Sequence, residues 1–277
     1  DILSNESSPE LGIEAKEWPW AWVDESNPDY IFGNVGTVQN EMRVYQAPVS
    51  ALEQKNIPWK SLCQPSDKLV RSLFVHKDSA YAVTYTDAPK YKVVRTHLKD
   101  PDWSHAETII PETTDSIQYM ARSRDYLFVV YSNGITGRIL KYGLTTGKSS
   151  DVKLPASGMV DIACPDAYSN RCIVFITSWT TPKTLYDFEA DKGILVKSLF
   201  NTDVKCHGME DLIAEEVEVP GHDGAMIPLT IVRKKGLPLD GSNCCILNGY
   251  GAYGFNTTPN DPDYPLFLTM NSVVTRG

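Results

Sequence analysis

Short apolar runs rich in Val, Ile, Tyr and Phe alternate with polar turn clusters from the start of the chain to about Phe200. Three of these clusters lie at residues 24–28, 86–89 and 132–134. Apolar runs of about four to eight residues bounded by turn formers are typical of β-strands, and helical periodicity is almost absent here. This part of the chain is therefore predicted to be antiparallel and all β.

A weak repeat lies within this region. Four segments share an apolar run, a turn and a second apolar run further along, and the first runs begin at Tyr30, Tyr81, Tyr126 and Cys172. A period of about 45 to 51 residues, with several strands in each unit, is typical of β-propeller blades. We expect each segment to supply the two central strands of a four-stranded blade. A β-sandwich with evenly spaced hairpins is the alternative.

Three tryptophans, Trp18, Trp20 and Trp22, alternate with Pro19 and Ala21. Alternate side chains of an extended segment point to the same face, so the three rings share one face. We expect this face to pack in the core or against a neighbouring blade. A groove that binds a ligand is the alternative.

The pattern changes in the last quarter of the chain. Residues 216–219 and 226–232 are predicted to be the two strands of a hairpin with a tight turn between them. The next apolar run, 244–247, leads directly into a glycine-rich loop at 249–254. A buried central strand of an α/β sheet delivers a functional loop in this way.

The glycine-rich loop at 249–254 fits the pattern G-x-G-x-x-G of dinucleotide-binding sites. Such a site needs a helix directly after the loop and an acidic residue about 20 positions further on. Residues 255–260 are instead rich in turn formers, and no Asp or Glu follows Asp263. Cys206 stands beside His207, but no second pair follows at zinc spacing. We therefore predict neither a cofactor nor a metal.

A series of short motifs follows in a fixed order between residues 223 and 254. They are Asp223-Gly224, Ile227-Pro228-Leu229, Lys234-Lys235-Gly236-Leu237, Leu239-Asp240-Gly241-Ser242 and Gly249-Tyr250-Gly251-Ala252-Tyr253-Gly254. In order and spacing this series resembles the start of the peptidase domain in the prolyl oligopeptidase family of serine peptidases. The resemblance is close over residues 216–254 and looser as far as Arg276-Gly277.

The resemblance implies a seven-bladed β-propeller followed by an α/β-hydrolase domain. We therefore expect a mainly β chain with about four of the seven blades in residues 1–208. The first strands of the hydrolase domain are expected in residues 209–277. On this interpretation the chain is a piece of a longer protein that ends before the nucleophile elbow.

The family's catalytic residues are a Ser, an Asp and a His, with the Ser on a G-x-S-x-G elbow. This pattern does not occur in the sequence, so we expect the chain alone to be inactive. By resemblance, Tyr250 is the phenolic donor of the oxyanion hole. By the same resemblance, Tyr253 is expected to form an aromatic wall of the pocket for the residue before the scissile bond. No triad position is matched by the five histidines, His76, His97, His105, His207 and His222.

The function implied by the resemblance is that of a serine endopeptidase. It would hydrolyse short peptides on the C-terminal side of proline, although a preference for basic residues stays open. The alternative is a non-catalytic propeller module that binds a peptide or a protein partner. A reading frame that continues beyond Gly277 into G-x-S-x-G would decide between the two.

Composition excludes several other classes of protein. The 277 residues are 42% hydrophobic and carry a net charge of −9, so the chain can form a large core but offers no basic surface for nucleic acid or anionic membranes. The longest apolar run, 126–131, is far shorter than the roughly 20 residues that span a bilayer. No signal peptide is visible, which favours a cytoplasmic location and leaves the periplasm or secretion open. The expected partners are a peptide substrate and the remainder of the protein's own chain.

Six cysteines are too few for a disulfide framework in a chain of this size. Their spacing favours buried or unreactive thiols. A bridge between Cys164 and Cys172 across a hairpin is the alternative.

Overall fold

The computed structural model describes residues 2–134, 136–201, 210–249, 259 and 273–276, the last four as backbone only. Strands make up nearly all of the regular structure in these ranges. The helical elements described are three short 3-10 segments, Pro9–Leu11, Val49–Ala51 and Pro65–Asp67. The prediction of a mainly β chain is confirmed.

Sixteen strands form four sheets of four strands each, and within each sheet the strands follow chain order. The first sheet comprises β1 (Trp18–Val23), β2 (Tyr30–Gly36), β3 (Val44–Pro48) and β4 (Lys60–Cys63). The second comprises β5 (Leu69–His76), β6 (Ser79–Thr84), β7 (Lys92–His97) and β8 (Glu107–Ile110). The third comprises β9 (Ser116–Arg122), β10 (Tyr126–Ser132), β11 (Gly137–Gly143) and β12 (Ser149–Asp151). The fourth comprises β13 (Met159–Ala163), β14 (Arg171–Ser178), β15 (Thr181–Glu189) and β16 (Ile194–Lys197).

The repeat seen in the sequence corresponds to these sheets. Its four starting residues, Tyr30, Tyr81, Tyr126 and Cys172, lie in the second strands β2, β6, β10 and β14. The paired apolar runs lie in the third strands, which are the antiparallel neighbours of the second strands within each sheet. The prediction that each segment supplies two central strands of a four-stranded unit is confirmed.

The second strands form the most buried part of the sheets. β2, β6 and β10 are buried on both faces through nearly their whole length. Such a strand needs a continuous apolar run rather than an alternating one, because each of its faces meets other apolar side chains. Phe32 and Phe128 are fully buried in these strands.

The tryptophans that share a face divide between the core and the surface. Trp22 packs against Phe32, with ring centroids 5.7 Å apart. Trp18 and Trp20, on the same strand β1, are about half exposed at 50% and 49%. The prediction of core packing is right for Trp22 and wrong for Trp18 and Trp20.

The chain divides into two compact units. The first contains Asp1–Tyr131, Leu140–Ser150 and Cys164–Asn170, and the second contains Ser132–Ile139, Asp151–Ala163 and Arg171–Gly277. In the first unit, one apolar cluster joins the first and second sheets and includes Phe32 and Leu98. Another cluster joins the second and third sheets and includes Val83 and Val129. These clusters are the core of that unit.

A fifth sheet of different topology follows, in the order β17-β18-β20-β19. Its strands are β17 (Leu212–Pro220), β18 (Met226–Lys234), β19 (Cys245–Asn248) and β20 (Val273–Arg276). β17 and β18 form the predicted hairpin, and β19 pairs with β20 in parallel. The predicted domain border between residues 208 and 209 lies outside the described ranges and stays a prediction. The assignment of the fifth sheet to a hydrolase domain also stays a prediction.

Candidate functional site

The two tyrosines predicted to act on the substrate, Tyr250 and Tyr253, lie outside the described residues. The strand that leads to them is described: β19 ends at Asn248, and the next residue, Gly249, is exposed. The predicted strand is confirmed, but it is an exposed edge strand and not the buried central strand that the apolar run indicated, because β19 pairs on one side only. The glycine-rich loop after Gly249 lies outside the described residues. The roles of the two tyrosines stay predictions.

One described cluster has the residue types of a hydrolytic triad, namely Ser104, His105 and Asp102. The Ser104 hydroxyl lies 3.0 Å from His105 Nδ1, and Asp102 Oδ2 lies 2.8 Å from the same nitrogen. Hydrogen bonds from Ser104 and His105 lower the pKa of Asp102 to about 2. A general base must instead use one ring nitrogen for the orienting acid and the other for the nucleophile. The three exposed residues therefore form a turn and not a catalytic relay.

His76 does not form a relay with the described residues either. His207 lies outside the described residues. His76 stands at the end of β5, where burial together with the neighbouring charges of Lys77 and Arg122 lowers its pKa. A neutral imidazole beside two cations is chemically reasonable, but no described serine or cysteine is hydrogen-bonded to it.

The first unit contains a cavity of about 440 Å³. Its wall combines apolar side chains with charged ones, and it includes Trp22, Phe32, Phe74, Asp24, Glu25 and Arg122. A concave site of this size with a mostly apolar wall and a few polar groups is where a small ligand would be expected. Whether it can bind an anion depends on what neutralises its arginine.

Arg122 at the end of β9 is paired with Asp24, which follows β1. Its Nη2 donates to Asp24 Oδ1 at 2.9 Å and to Oδ2 at 3.2 Å, and its Nη1 donates to the Ser26 hydroxyl. The Arg122 and Asp24 side chains are only 7% and 12% exposed. A buried cation is tolerated when it is paired and hydrogen-bonded in this way. Its charge is thus used within the protein and is not free for an anionic ligand.

The loop at 164–170 closes over the same end of the first unit. Tyr168 donates its hydroxyl hydrogen to the Glu25 carbonyl at 2.9 Å. Asn170 Oδ1 accepts from the Ser123 hydroxyl at 3.1 Å and from the Asp125 amide at 3.0 Å. These bonds hold one wall of the cavity. This network was not predicted from the sequence, because its members lie far apart in the chain and no local pattern links them.

In the described ranges no group of three or more His, Cys, Asp or Glu side chains is arranged to hold a metal ion. No described helix has the length and apolarity that crossing a bilayer requires.

Comparison with known proteins identifies the part of the chain that contains the four repeated sheets. Residues 15–198 match the family model for the N-terminal β-propeller domain of prolyl oligopeptidase. This range contains all sixteen strands of the four repeated sheets. The family model therefore covers the larger part of the described residues.

Individual relatives extend the comparison. The chain is 27% identical over 202 residues to a prolyl endopeptidase of Elizabethkingia miricola, which covers 73% of this chain and 26% of that protein. It is 24% identical over 279 residues to the dual function macrocyclase-peptidase POPB of Galerina marginata (strain CBS 339.88), covering 94% of this chain and 38% of that protein. The chain thus spans about a quarter to two fifths of the length of these relatives.

Solved structures share the fold. A structure from a study of two prolyl endopeptidases superposes with a TM-score of 0.78 at 20% identity and covers 94% of this chain and 38% of that one. A mutant of prolyl oligopeptidase B from Galerina marginata, bound to a 25mer macrocyclization substrate, gives 0.78 at 19% identity over 94% of this chain and 37% of that one. At this level of identity the likeness establishes the fold.

Proposed function

Because this chain belongs to the prolyl oligopeptidase family, we propose that it is part of a serine peptidase that cleaves short peptides on the C-terminal side of proline. The observation that carries this proposal is the coincidence of the family's propeller domain with the four repeated sheets, residues 15–198. The fifth sheet supports it, because a parallel pair beside a hairpin suits the start of an α/β domain. The fifth sheet is proposed to be the first part of the hydrolase domain.

Tyr250 is proposed to stabilise the oxyanion of the acyl-transfer step. Negative charge develops on the substrate carbonyl oxygen in the transition state, and a preorganised O–H donor directed at that oxygen lowers the barrier. β19 supports this role because it ends two residues before Tyr250. The tyrosine would then project from the end of a strand, where enzymes with open α/β sheets place their functional loops.

Tyr253 is proposed to line the pocket that receives proline. A flat aromatic ring offers proline a broad apolar contact surface. The family often has Phe at this position, so the hydroxyl of Tyr253 makes the pocket more polar. We expect proline to be accepted with less strict preference than a phenylalanine would give.

The repeated sheets are proposed to act as a cap that admits only short peptides to the active site. The nucleophile, its base and the orienting acid are proposed to lie in the remainder of the protein, since this chain spans about a quarter to two fifths of its relatives. The chain contributes Tyr250 and the cap but not the triad. It should therefore bind peptides without hydrolysing them.

The test compares the 277-residue chain with the complete product of its gene. We expect the complete protein to hydrolyse a chromogenic proline peptide and the chain alone to show no turnover. In the complete protein, Tyr250→Phe should lower kcat by about 10²- to 10³-fold. Tyr186→Phe in β15 is the matched control and should leave kcat unchanged.

Two outcomes would overturn the proposal. Turnover by the chain alone, together with covalent labelling by a serine-directed phosphonate, would show that the chain holds its own nucleophile. A stop codon directly after Gly277 would instead favour the non-catalytic peptide-binding module. A reading frame that continues to G-x-S-x-G within about a hundred residues would exclude that module.

A further inference from the structure

The second sheet carries an unusual group of residues at the end where β5 begins. Lys68, Arg71 and Tyr91 all have positive φ, at 57°, 65° and 73°. Residues other than glycine rarely adopt this conformation. Lys68 adopts it as the residue that caps the 3-10 helix Pro65–Asp67. All three lie within the first unit.

Arg71 lies on a bulge of β5, where the register with β6 shifts between Val70 and Leu73. Its guanidinium carbon is 4.6 Å from the centroid of the Tyr91 ring. Nη1 donates to the Gln118 carbonyl at 3.1 Å and to Gln118 Oε1 at 3.4 Å, and Nη2 lies 3.4 Å from the Tyr91 hydroxyl. The side chain is thus held in one orientation from two sides. Nε makes no hydrogen bond to any described residue.

The charge of Arg71 is not neutralised within the described ranges. Arg71 is exposed and forms no ion pair there, whereas Arg43, Arg95 and Arg122 each pair with a carboxylate. The nearby carboxylate of Glu41 accepts a hydrogen bond from the Tyr85 hydroxyl at 2.8 Å, and this bond raises the pKa of Tyr85.

Two lysines lie at the same end of the sheet. Lys68 Nζ lies 5.9 Å from the centroid of the Tyr85 ring. Lys90 precedes Tyr91, and its backbone amide binds the Glu112 carboxylate at 2.5 Å. The carboxylates of Glu41 and Glu112 each accept a hydrogen bond from a neighbouring group.

We propose that Arg71, oriented by Tyr91 and Gln118, is a subsite for a carboxylate of a bound peptide. A guanidinium presents two parallel N–H donors on one edge, a geometry that fits the two oxygens of a carboxylate. The free Nε and the second hydrogen of Nη2 provide such an edge. The aromatic ring covers one face of the cation, so the ligand approaches along the edge. The proposal rests on the proposed function in taking peptides as the ligand class.

The test measures peptide binding to the 277-residue chain by fluorescence anisotropy at low ionic strength. The probes are labelled, C-terminally amidated proline peptides made in pairs, with Glu or Gln at one position that is moved along the peptide. We expect at least one Glu peptide to bind about threefold more tightly than its Gln counterpart. This preference should fall as salt is added, because exposed charges are screened.

Variants connect the preference to one residue. Arg71→Gln keeps a hydrogen-bonding amide but removes the cation, and it should bring the Glu-to-Gln ratio to one. Lys148→Gln removes one exposed positive charge elsewhere and should leave the ratio unchanged. A ratio of one in the wild-type chain at every position, or an unchanged ratio in Arg71→Gln, would overturn the proposal. A change in thermal stability alone with an unchanged ratio would show that Arg71 only links β5 to β9.

Inorganic phosphate serves as a second probe. If phosphate binds and is lost with Arg71→Gln while no Glu peptide is preferred, the site is a general anion site and the peptide assignment is wrong. Failure of this proposal is distinct from failure of the proposed function. The binding ratio needs no hydrolysis, and hydrolysis by the complete protein does not depend on the ratio.

Discussion

The four repeated sheets and the mixed sheet that follows them are similar in apolar content but differ in burial. In the repeated sheets the second strands β2, β6 and β10 are buried on both faces. In the mixed sheet Leu212 and Val232 are buried, but five other large apolar side chains are partly or largely exposed, namely Val217, Val219, Met226, Ile227 and Leu247. A strand's burial is therefore decided by what covers its sheet and not by its own sequence alone.

This difference in burial indicates that the repeated sheets contribute most of the chain's stability. Burial of apolar surface is the largest favourable term in folding, so the repeated sheets should supply most of it. A parallel strand pair is normally covered on both faces. The exposed faces of the mixed sheet therefore agree with the proposal that it is the first part of a hydrolase domain.

The largest effect should come from removing a fully buried ring. Phe128→Ala in β10 replaces a side chain with 0% exposure and should lower the free energy of unfolding by about 3–5 kcal/mol, through lost burial and the cavity left behind. Leu247→Ala in β19, where the side chain is 75% exposed, should change it by less than about 0.5 kcal/mol. Urea unfolding followed by tryptophan fluorescence measures both. Equal losses for the two variants would contradict the comparison.

A smaller effect is expected from breaking the buried ion pair of the first unit. Asp24→Asn keeps the shape but leaves the Arg122 cation buried without a counter-charge, which should cost about 3 kcal/mol. Glu215→Gln in the β17–β18 hairpin is the control, because Glu215 is 42% exposed beside Arg233 and its loss should cost less than about 1 kcal/mol. The same unfolding assay applies. The comparison would fail if added salt reduced the effect of Asp24→Asn as much as that of Glu215→Gln.

Two glycines give a third contrast. A Cβ on Gly158 would lie 2.4 Å from the Thr177 carbonyl oxygen, so Gly158→Ala should cost about 2 kcal/mol through overpacking against the backbone. Gly224, in the turn between β17 and β18, has open space around it but a φ of 83°. Gly224→Ala should cost about 1 kcal/mol from backbone strain alone. A larger loss at Gly224 than at Gly158, measured by thermal unfolding, would reverse this ranking.

The sequence predicted the repeated elements well because their signals are local. The apolar runs at Tyr30 and Tyr126 and the turn clusters between them contain enough information to place the central strands. Pairings across long distances have no such signal, so the Arg122–Asp24 contact, 98 positions apart in the chain, was not predicted. The exposure of Trp18 was also missed, because alternation fixes which side chains share a face but not whether that face is covered.

The positive φ of Arg71 was also not predicted from the sequence. Arginine has no preference for positive φ. The conformation of Arg71 results from a bulge in β5 that depends on pairing with β6. Candidate residues in the glycine-rich loop were named only through the resemblance of the motif series to a family. The pattern of the strands alone indicated a functional loop but did not select a residue within it.

The smallest effect on stability should come from modifying the cysteines of the mixed sheet. The five described cysteines are free thiols, and Cys244 and Cys245 are exposed whereas Cys63 and Cys172 are buried. A thiol reagent at pH 8 should label Cys244 and Cys245 in the native chain and change the free energy of unfolding by less than about 0.5 kcal/mol. Mass spectrometry of a Cys206→Ser variant identifies the labelled sites. Native labelling of Cys63 at the rate of Cys244 would contradict the burial assigned to the first sheet.

The buried thiol of the first sheet also predicts a pH dependence. Burial raises the pKa of Cys63 from 9.0 to about 12, so the folded state keeps its proton at pH values where the unfolded state loses it. The stability that this difference provides is complete below pH 9 and is lost as the pH rises from 9 toward about 12. Cys63→Ala should make unfolding less sensitive to pH in that window, whereas Cys244→Ala should not. An identical pH profile for wild type and Cys63→Ala would show that the thiol ionises equally in both states, and the burial contrast between the two sheets would then not extend to their cysteines.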